Sequence, residues 1–230
     1  MTAAAVAVLL AAGSGERMGR DRPKAFLTIE GRSLLTIAAE AACASSSVAS
    51  LVVAAPPGWE QRAGTLLPAH TPSEVVTGGD SRQVSVRLAL DAVPEDAAVV
   101  VVHDAARAMA PASMFDAVVD ALADDEATGA APVVAVPDTV KRVAEGWVVE
   151  TVLREALAFA QTPQAFRRGP LVDAHSRAAE AELEFTDDAA LVEWAGGRVR
   201  TVPGSVDNFK VTTPDDLDRA ALVLRRGIRS

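Results

Sequence analysis

Leu10-Ala11-Ala12-Gly13-Ser14-Gly15-Glu16-Arg17-Met18-Gly19, followed a few residues later by Lys24, is the stretch on which the fold turns. Residues 3–10 before it form an apolar run of strand length. Residues 33–43 after it read as a helix with Leu34, Leu35, Ile37 and Ala38 facing inward. A glycine turn at the carboxyl end of a first buried strand lies where open parallel sheets bind ligands. Small residues let backbone amides converge on an anion, and Arg17 and Lys24 add two full charges able to follow a phosphate through a reaction. By its chemistry this is a triphosphate site, although the glycines alone would suit a tight turn equally well.

Two other glycine motifs are excluded. Gly13, Gly15 and Gly19 stand as G-x-G-x-x-x-G, not the G-x-G-x-x-G of a dinucleotide fingerprint. The second strand, residues 51–55, runs into Pro56-Pro57 and not into an acid for a ribose. No G-K-[ST] completes a Walker loop.

With 230 residues, half of them hydrophobic, the chain is long enough for one large α/β domain with its own core. No apolar run reaches the roughly 18 residues of a membrane span. Met1-Thr2-Ala3 leads into the first strand without a basic leader, so the expected place is the cytoplasm. A formal charge of −9 argues against a nucleic-acid surface, which needs clustered excess cations. Cys43, the single cysteine, excludes an internal disulfide and a Cys-ligated zinc, and its place on an apolar helix face reads as packing. His70 and His175 lack metal-ligand spacing and read as surface residues.

Along the chain, residues 59–67 are helix-like and residues 74–77 form a short strand entering Gly78-Gly79-Asp80-Ser81. A helix over about 82–92 follows, with Val86, Leu90 and Val93 on one face and Ser85 in its first turn. This turn is either a capped strand-to-helix junction or, beside the first loop, a base-recognition element. Residues 97–102 are the most β-branched segment and deliver His103-Asp104-Ala105-Ala106-Arg107 to the carboxyl edge. A carboxylate there suits a hard cation, so Asp104 is the candidate magnesium ligand, with Asp207 a weaker one. After a helix over 113–123 and a strand over 129–136, alternating polarity on both sides of Glu145-Gly146 predicts a β-hairpin. Its exposed edges predict an arm over about 137–158 that joins two copies of the chain. Residues 155–159 read as a short helix or loop, residues 161–166 as a turn entering a strand or helix, and residues 171–181 as a helix. Thr186-Asp187-Asp188 caps a helix over 189–194, residues 198–202 form a strand, and Thr213-Pro214-Asp215-Asp216 starts the last helix.

Seven segments, in order, now carry a resemblance across almost the whole chain. They are the first loop with Lys24; Gly78-Gly79-Asp80-Ser81-Arg82 with Ser85-Val86; Val102-His103-Asp104-Ala105-Ala106-Arg107; Asp138-Thr139-Val140-Lys141; Gln161-Thr162-Pro163-Gln164; Phe185-Thr186-Asp187-Asp188; and Asp207-Asn208-Phe209-Lys210-Val211-Thr212. Together they resemble the 2-C-methyl-D-erythritol 4-phosphate cytidylyltransferases of the non-mevalonate isoprenoid pathway. The resemblance implies a Rossmann-like nucleotidyltransferase fold, a mostly parallel twisted sheet flanked by helices with a protruding β-arm. It also implies transfer of CMP from CTP to a sugar-alcohol phosphate, with Mg²⁺ and a homodimer. Arg17 and Lys24 match the pair that stabilises five-coordinate phosphorus. Gly13 and Gly15 belong to the same nucleotide loop. Ala11, Ala12, Gly79, Asp80 and Ser85 match the cytosine pocket, and Ala105 the ribose contact. Asp104 matches the acid tied to Mg²⁺ and substrate. Arg107, Thr186 and Lys210 match substrate contacts of the same subunit, Thr139 and Arg154 those reaching across from the partner, and Thr162 a further site position. Two departures stand out: Ala108-Met109 follow Arg107 where the family usually reads proline, and Leu153 stands where an acid often precedes Arg154. The remaining alternatives are a cytidylyltransferase for another polyol phosphate, such as ribitol 5-phosphate, and a non-catalytic CTP-binding module.

Overall fold

A computed structural model describes residues 4–13 and 22–227. The first strand, β1 (Ala5–Leu10), is buried along nearly its whole length. A small hairpin of β2 (Thr28–Ile29) and β3 (Arg32–Ser33) precedes α1 (Leu34–Cys43), whose first turn is capped by the Ser33 hydroxyl accepting from the Thr36 amide. The chain continues through β4 (Val48–Ala55), α2 (Glu60–Gly64), β5 (Ser73–Thr77) and α3 (Arg82–Leu90). It then enters β6 (Val99–Asp104), all six residues of which are buried, and α4 (Ala112–Asp120). The helix expected over 59–67 is reduced to α2, which has a single buried residue, Ala63, and so little packing to extend it.

β7 (Gly129–Ala135) leads to the arm, made of β8 (Val140–Ala144) and β9 (Trp147–Val152), which pair only with each other. Glu145 and Gly146 join them with φ of 50° and 83°, the two left-handed residues of a tight primed hairpin turn. In place of the expected helix or loop over 155–159, a 3-10 turn at Arg154–Ala156 is followed by strand β10 (Ala158–Ala160). The strand forms because β7 has a free edge there. β11 (Gln164–Arg167), α5 (Arg168–Glu180), α6 (Asp188–Trp194), β12 (Val199–Pro203) and α7 (Pro214–Gly227) complete the described chain.

The main sheet runs β5-β4-β1-β6-β11-β7, with β12 on the far side of β7 and β10 continuing the line of β11. β4, β5 and β6 run parallel to β1, and β12 runs parallel to β7. β11 is antiparallel to both β6 and β7. Because strand side chains alternate, Ala5, Ala7, Leu9 and Val101 join one core with Leu35, Ala38 and Phe115 of α1 and α4. Val6, Val8, Val100 and Val102 join the other with Val86, Leu171 and Leu191 of α3, α5 and α6. A third cluster ties Ala220 of α7 to Leu34 and Ile37 of α1. Strand order grows outward from β1 through β4 to β5, then returns to place β6 on the other side of β1. The carboxyl ends of β1 and β6 therefore flank the switch point where such sheets open a crevice. No helix among the described residues is long and apolar enough to cross a membrane.

Candidate active site

A cavity of about 470 Å³ occupies that crevice. Leu10, Ala11, Ala12 and Gly13 line it from β1, Gly79, Asp80, Ser81, Arg82 and Ser85 from the β5–α3 junction, and Asp104 and Ala106 from the end of β6. Lys24 and Lys210 close it. Among the described lining residues three cations face two carboxylates, a local excess of positive charge in a chain whose net charge is −9. Arg17 and Gly15 lie outside the described residues.

The glycines divide by purpose. A Cβ on Gly78 would lie 2.4 Å from the Ala12 Cβ, and one on Gly79 would lie 2.2 Å from Val84 Cγ1. These two are required by the packing of the site's own walls. At Gly13 a Cβ would meet no atom of the described residues within 4 Å. Ser81 caps α3 by accepting from the Val84 amide, while the Ser85 hydroxyl accepts from Gly79 N–H at 3.0 Å and donates to the Ser81 carbonyl at 2.8 Å. The turn is thus a capped strand-to-helix junction that also lines the cavity.

Asp104 is the electrostatic centre. Its Oδ1 accepts from Arg82 Nε at 3.0 Å and its Oδ2 from Lys210 Nζ at 2.6 Å. Burial raises the cost of its charge, but Arg82 and Lys210 outweigh that cost and hold the carboxyl well below the usual range. Asp104 is therefore an anion at neutral pH. Arg82 also donates through Nη1 to Asp188 Oδ2 at 2.7 Å, and the two carboxylates raise its affinity for the proton despite burial.

Behind this layer lies a buried polar support. The Thr162 hydroxyl accepts from Asp104 N–H at 3.0 Å and stands 3.0 Å from His103 Nδ1. Thr162 thus props the acid from behind, away from the cavity lining. Asn208 is fully buried; its Nδ2 donates to the Thr162 carbonyl and to Gln161 Oε1, which fixes the segment that carries Lys210 to Asp104. Arg107 donates to the carbonyls of Asn208 and Ala160, so its head anchors this segment to β10. Ala105 is buried beneath the lining, and Ala106 reaches the surface of the cavity. Thr186 is exposed at the start of α6 and does not line the cavity. Thr139 and Arg154 lie exposed at the base of the arm, where Arg154 donates to the Pro137 carbonyl. Asp207 is likewise absent from the lining.

One expectation is overturned: His175 is not a surface residue. It is 2% exposed, and its Nε2 stands 3.0 Å from Asp188 Oδ1. Its position on the α5 stripe Leu171, Ala174, His175 and Ala178 was the available signal. Arg82 lines the cavity, Asp188 binds Arg82 from behind and Asn208 braces Thr162; all three stand in the segments quoted above, but none was named there as a site residue. Arg82 could have been found as the first helical residue after the glycine turn.

His103 makes acid stability a test of this support. Burial lowers its pKa from 6.5 to about 4, so it is neutral in the folded chain. Between those values the unfolded chain binds a proton that the folded chain refuses, so stability is full above the window and falls as pH drops through it. The slope is about 1.4 kcal/mol per pH unit. Urea midpoints of His103→Asn, compared near neutrality and near pH ~5, should lose this part of the decline. An unchanged decline would remove His103 from the account.

Comparison with known proteins matches this geometry to a family. The family model for 2-C-methyl-D-erythritol 4-phosphate cytidylyltransferase matches residues 5–226. A protein of that name from Deinococcus radiodurans is 46% identical over 214 residues, covering 92% of this chain and 85% of the relative. Another, from Streptomyces coelicolor, is 44% identical over 232 residues, covering 96% and 84%. The crystal structure of 2-C-methyl-D-erythritol 4-phosphate cytidylyltransferase from Thermus thermophilus superposes with a TM-score of 0.77 at 35% identity, covering 98% of this chain and all of that one. A 4-diphosphocytidyl-2C-methyl-D-erythritol synthase from Anaerococcus prevotii reaches 0.86 at 24% identity over 98% of this chain, which bears on the fold alone. The fold and nearly the full length of sequence agree, and the chain belongs to the 2-C-methyl-D-erythritol 4-phosphate cytidylyltransferase family.

Proposed function

We infer that the chain transfers a cytidylyl group from CTP to 2-C-methyl-D-erythritol 4-phosphate and releases pyrophosphate. The observation that carries this reading is the gathering of Lys24, Arg82 and Lys210 in one cavity with an ionised Asp104 at the sheet's switch point, in a chain matched to the family over residues 5–226. In the reaction a phosphate oxygen of the acceptor attacks the α-phosphorus of CTP. A new P–O bond forms, the bond from the α-phosphorus to the bridging oxygen breaks, and pyrophosphate leaves with the electron pair. The attacking phosphate is already ionised near neutrality, so no general base is required. The chemical problem is repulsion between two anions held in line, and fixed cations answer it.

Lys24, with Arg17 beyond the described residues, is assigned to the charge that builds on five-coordinate phosphorus. Ala11, Ala12 and Gly13 with Gly79, Asp80 and Ser85 are assigned to the nucleotide, where acceptors facing the exocyclic amine of cytosine would reject uracil by about 1–3 kcal/mol. Lys210, Arg107 and Thr186 are assigned to the acceptor phosphate and its polyol. Among the described residues no group of three or more His, Cys, Asp or Glu could cage a metal. A magnesium ion that arrives with a triphosphate needs only one or two carboxylates, and each Asp104 oxygen has a second lone pair beyond its bond to Arg82 or Lys210. Asp104 therefore fits as its protein ligand, and the ion would neutralise triphosphate charge.

The arm supports a homodimer. Val143, Trp147, Val148, Val149 and Leu153 are all more than half exposed in the single chain, a cluster that soluble proteins cover. Thr139 and Arg154 are assigned to the partner's acceptor site. The test is pyrophosphate release with CTP and magnesium, offering in turn 2-C-methyl-D-erythritol 4-phosphate and ribitol 5-phosphate. Release with the first is expected. Release with the second alone overturns the assignment of the acceptor, and release with neither overturns the reaction.

A further inference from the structure

Asp188 and His175 are buried side chains that the reaction as described does not use. Asp188 is 1% exposed and His175 2%. Both Asp188 oxygens are occupied, Oδ1 by His175 Nε2 at 3.0 Å and Oδ2 by Arg82 Nη1 at 2.7 Å. The chain fixes this carboxylate firmly. Asp187 caps α6 by accepting from the Ala190 amide through Oδ1, and its Oδ2 accepts from Gln164 Nε2 at 2.8 Å; Gln164 Oε1 in turn accepts from Ala189 N–H at 3.1 Å. The start of α6 is therefore bolted to β11, which lies beside β6 and its terminal Asp104.

Arg82 spans the gap between these two fixed carboxylates. Nε binds Asp104 and Nη1 binds Asp188, which determines the plane of the guanidinium and leaves one nitrogen to spare. That nitrogen, Nη2, is buried without a hydrogen-bond partner among the described residues, although Arg82 lines the cavity. An unsatisfied charged donor beside a polyphosphate cavity is costly in the free protein, and an acceptor from the ligand would relieve the cost. Arg82 is also the first residue of α3, directly after the Gly79-Asp80-Ser81 turn assigned to the nucleotide.

We propose that Asp188, backed by His175, is the positioning residue for Arg82, and that Arg82 held in this way donates through Nη2 to the phosphates of the bound nucleotide. The inference rests on the cytidylyl-transfer reading given above. Asp188 touches no substrate; it acts by denying Arg82 any other orientation.

Steady-state kinetics on the full chain test the idea, with wild-type turnover on CTP and 2-C-methyl-D-erythritol 4-phosphate checking the underlying reaction separately. Asp188→Asn keeps the shape but loses the charge that orients Arg82. It should raise the KM for CTP about tenfold while the KM for the acceptor stays within about twofold. His175→Gln should shift the same parameter in the same direction by about threefold. Arg82→Gln should raise the KM for CTP at least as much as Asp188→Asn, and adding Asp188→Asn to it should change that KM by less than about twofold, since nothing then remains to position. Equal rises in both KM values, or an Asp188→Asn effect that persists in full without Arg82, would overturn the proposal. If Asp188→Asn is too unstable to assay, His175→Gln and Arg82→Gln still decide: no change in the KM for CTP in either overturns it.

Discussion

Lys24→Ala is expected to lower kcat by about 10²- to 10⁴-fold while the KM for CTP rises only severalfold. Lys24 opens a short 3-10 turn, Lys24–Phe26, whose other end is buried: Phe26 packs against Trp59 with ring centroids 4.6 Å apart. The turn is therefore held by packing, and the lysine is presented to the cavity from a rigid base. Many groups can share the ground-state binding of a triphosphate, including the backbone of residues 11–13 and the turn at Gly79. Charge that develops on the equatorial oxygens during transfer needs a cation placed in advance, and this term appears in kcat. Steady-state assays with both substrates saturating measure it. A variant that keeps near wild-type turnover would take Lys24 out of the mechanism.

The second large effect is recovery of activity. Arg154→Ala and Lys24→Ala should each be nearly inactive alone, yet co-expressed they should regain roughly a quarter of wild-type activity. Random pairing gives half mixed dimers, and in each of these one of the two sites has both an intact Lys24 and an intact Arg154 from the partner. The expectation follows from the arm. Trp147 is 77% exposed and Leu153 78% in the single chain, and Arg154 does not line that chain's own cavity. Failure to regain activity, with mixed dimers shown to form, would place Arg154 in its own subunit's site or outside any site.

Much of this architecture could be read from sequence because it is written in local patterns. The runs that became β1 and β6 are apolar on both faces, as strands covered on both sides must be. Ser33, Ser81 and Asp187 announce helix starts through their own side chains, and Glu145-Gly146 marks a hairpin by its backbone requirements. The insertion of β11 between β6 and β7 was not legible. It depends on backbone pairing of Gln164 with Val102 and Ala165 with Ala130, which four residues of sequence cannot specify.

The site divides along the same line. Lys24, the Gly78-Gly79 turn, Asp104 and Lys210 stand in recognisable segments, and the fold brings them to one cavity or its walls. The support beneath them joins residues far apart in the chain, such as Arg82 with Asp188 and Asn208 with Thr162. All four stand in recognisable segments too, but the segments do not say which residue meets which. His175 is a plainer case: beside exposed polar neighbours it reads as surface, and only the packing of α5 on α6 makes it a buried partner of an acid.

Transfer depends most on where the triphosphate lies, and a crystal structure of the protein grown with CTP and magnesium locates it directly. The α-phosphorus should sit in the crevice between the residue 11–13 loop and Asp104, with Lys24 in contact with its oxygens and the cytosine against Gly79 and Ser85. A nucleotide bound elsewhere on the surface, or bound in the crevice with its base at Asp104 and its phosphates away from Lys24, would contradict it.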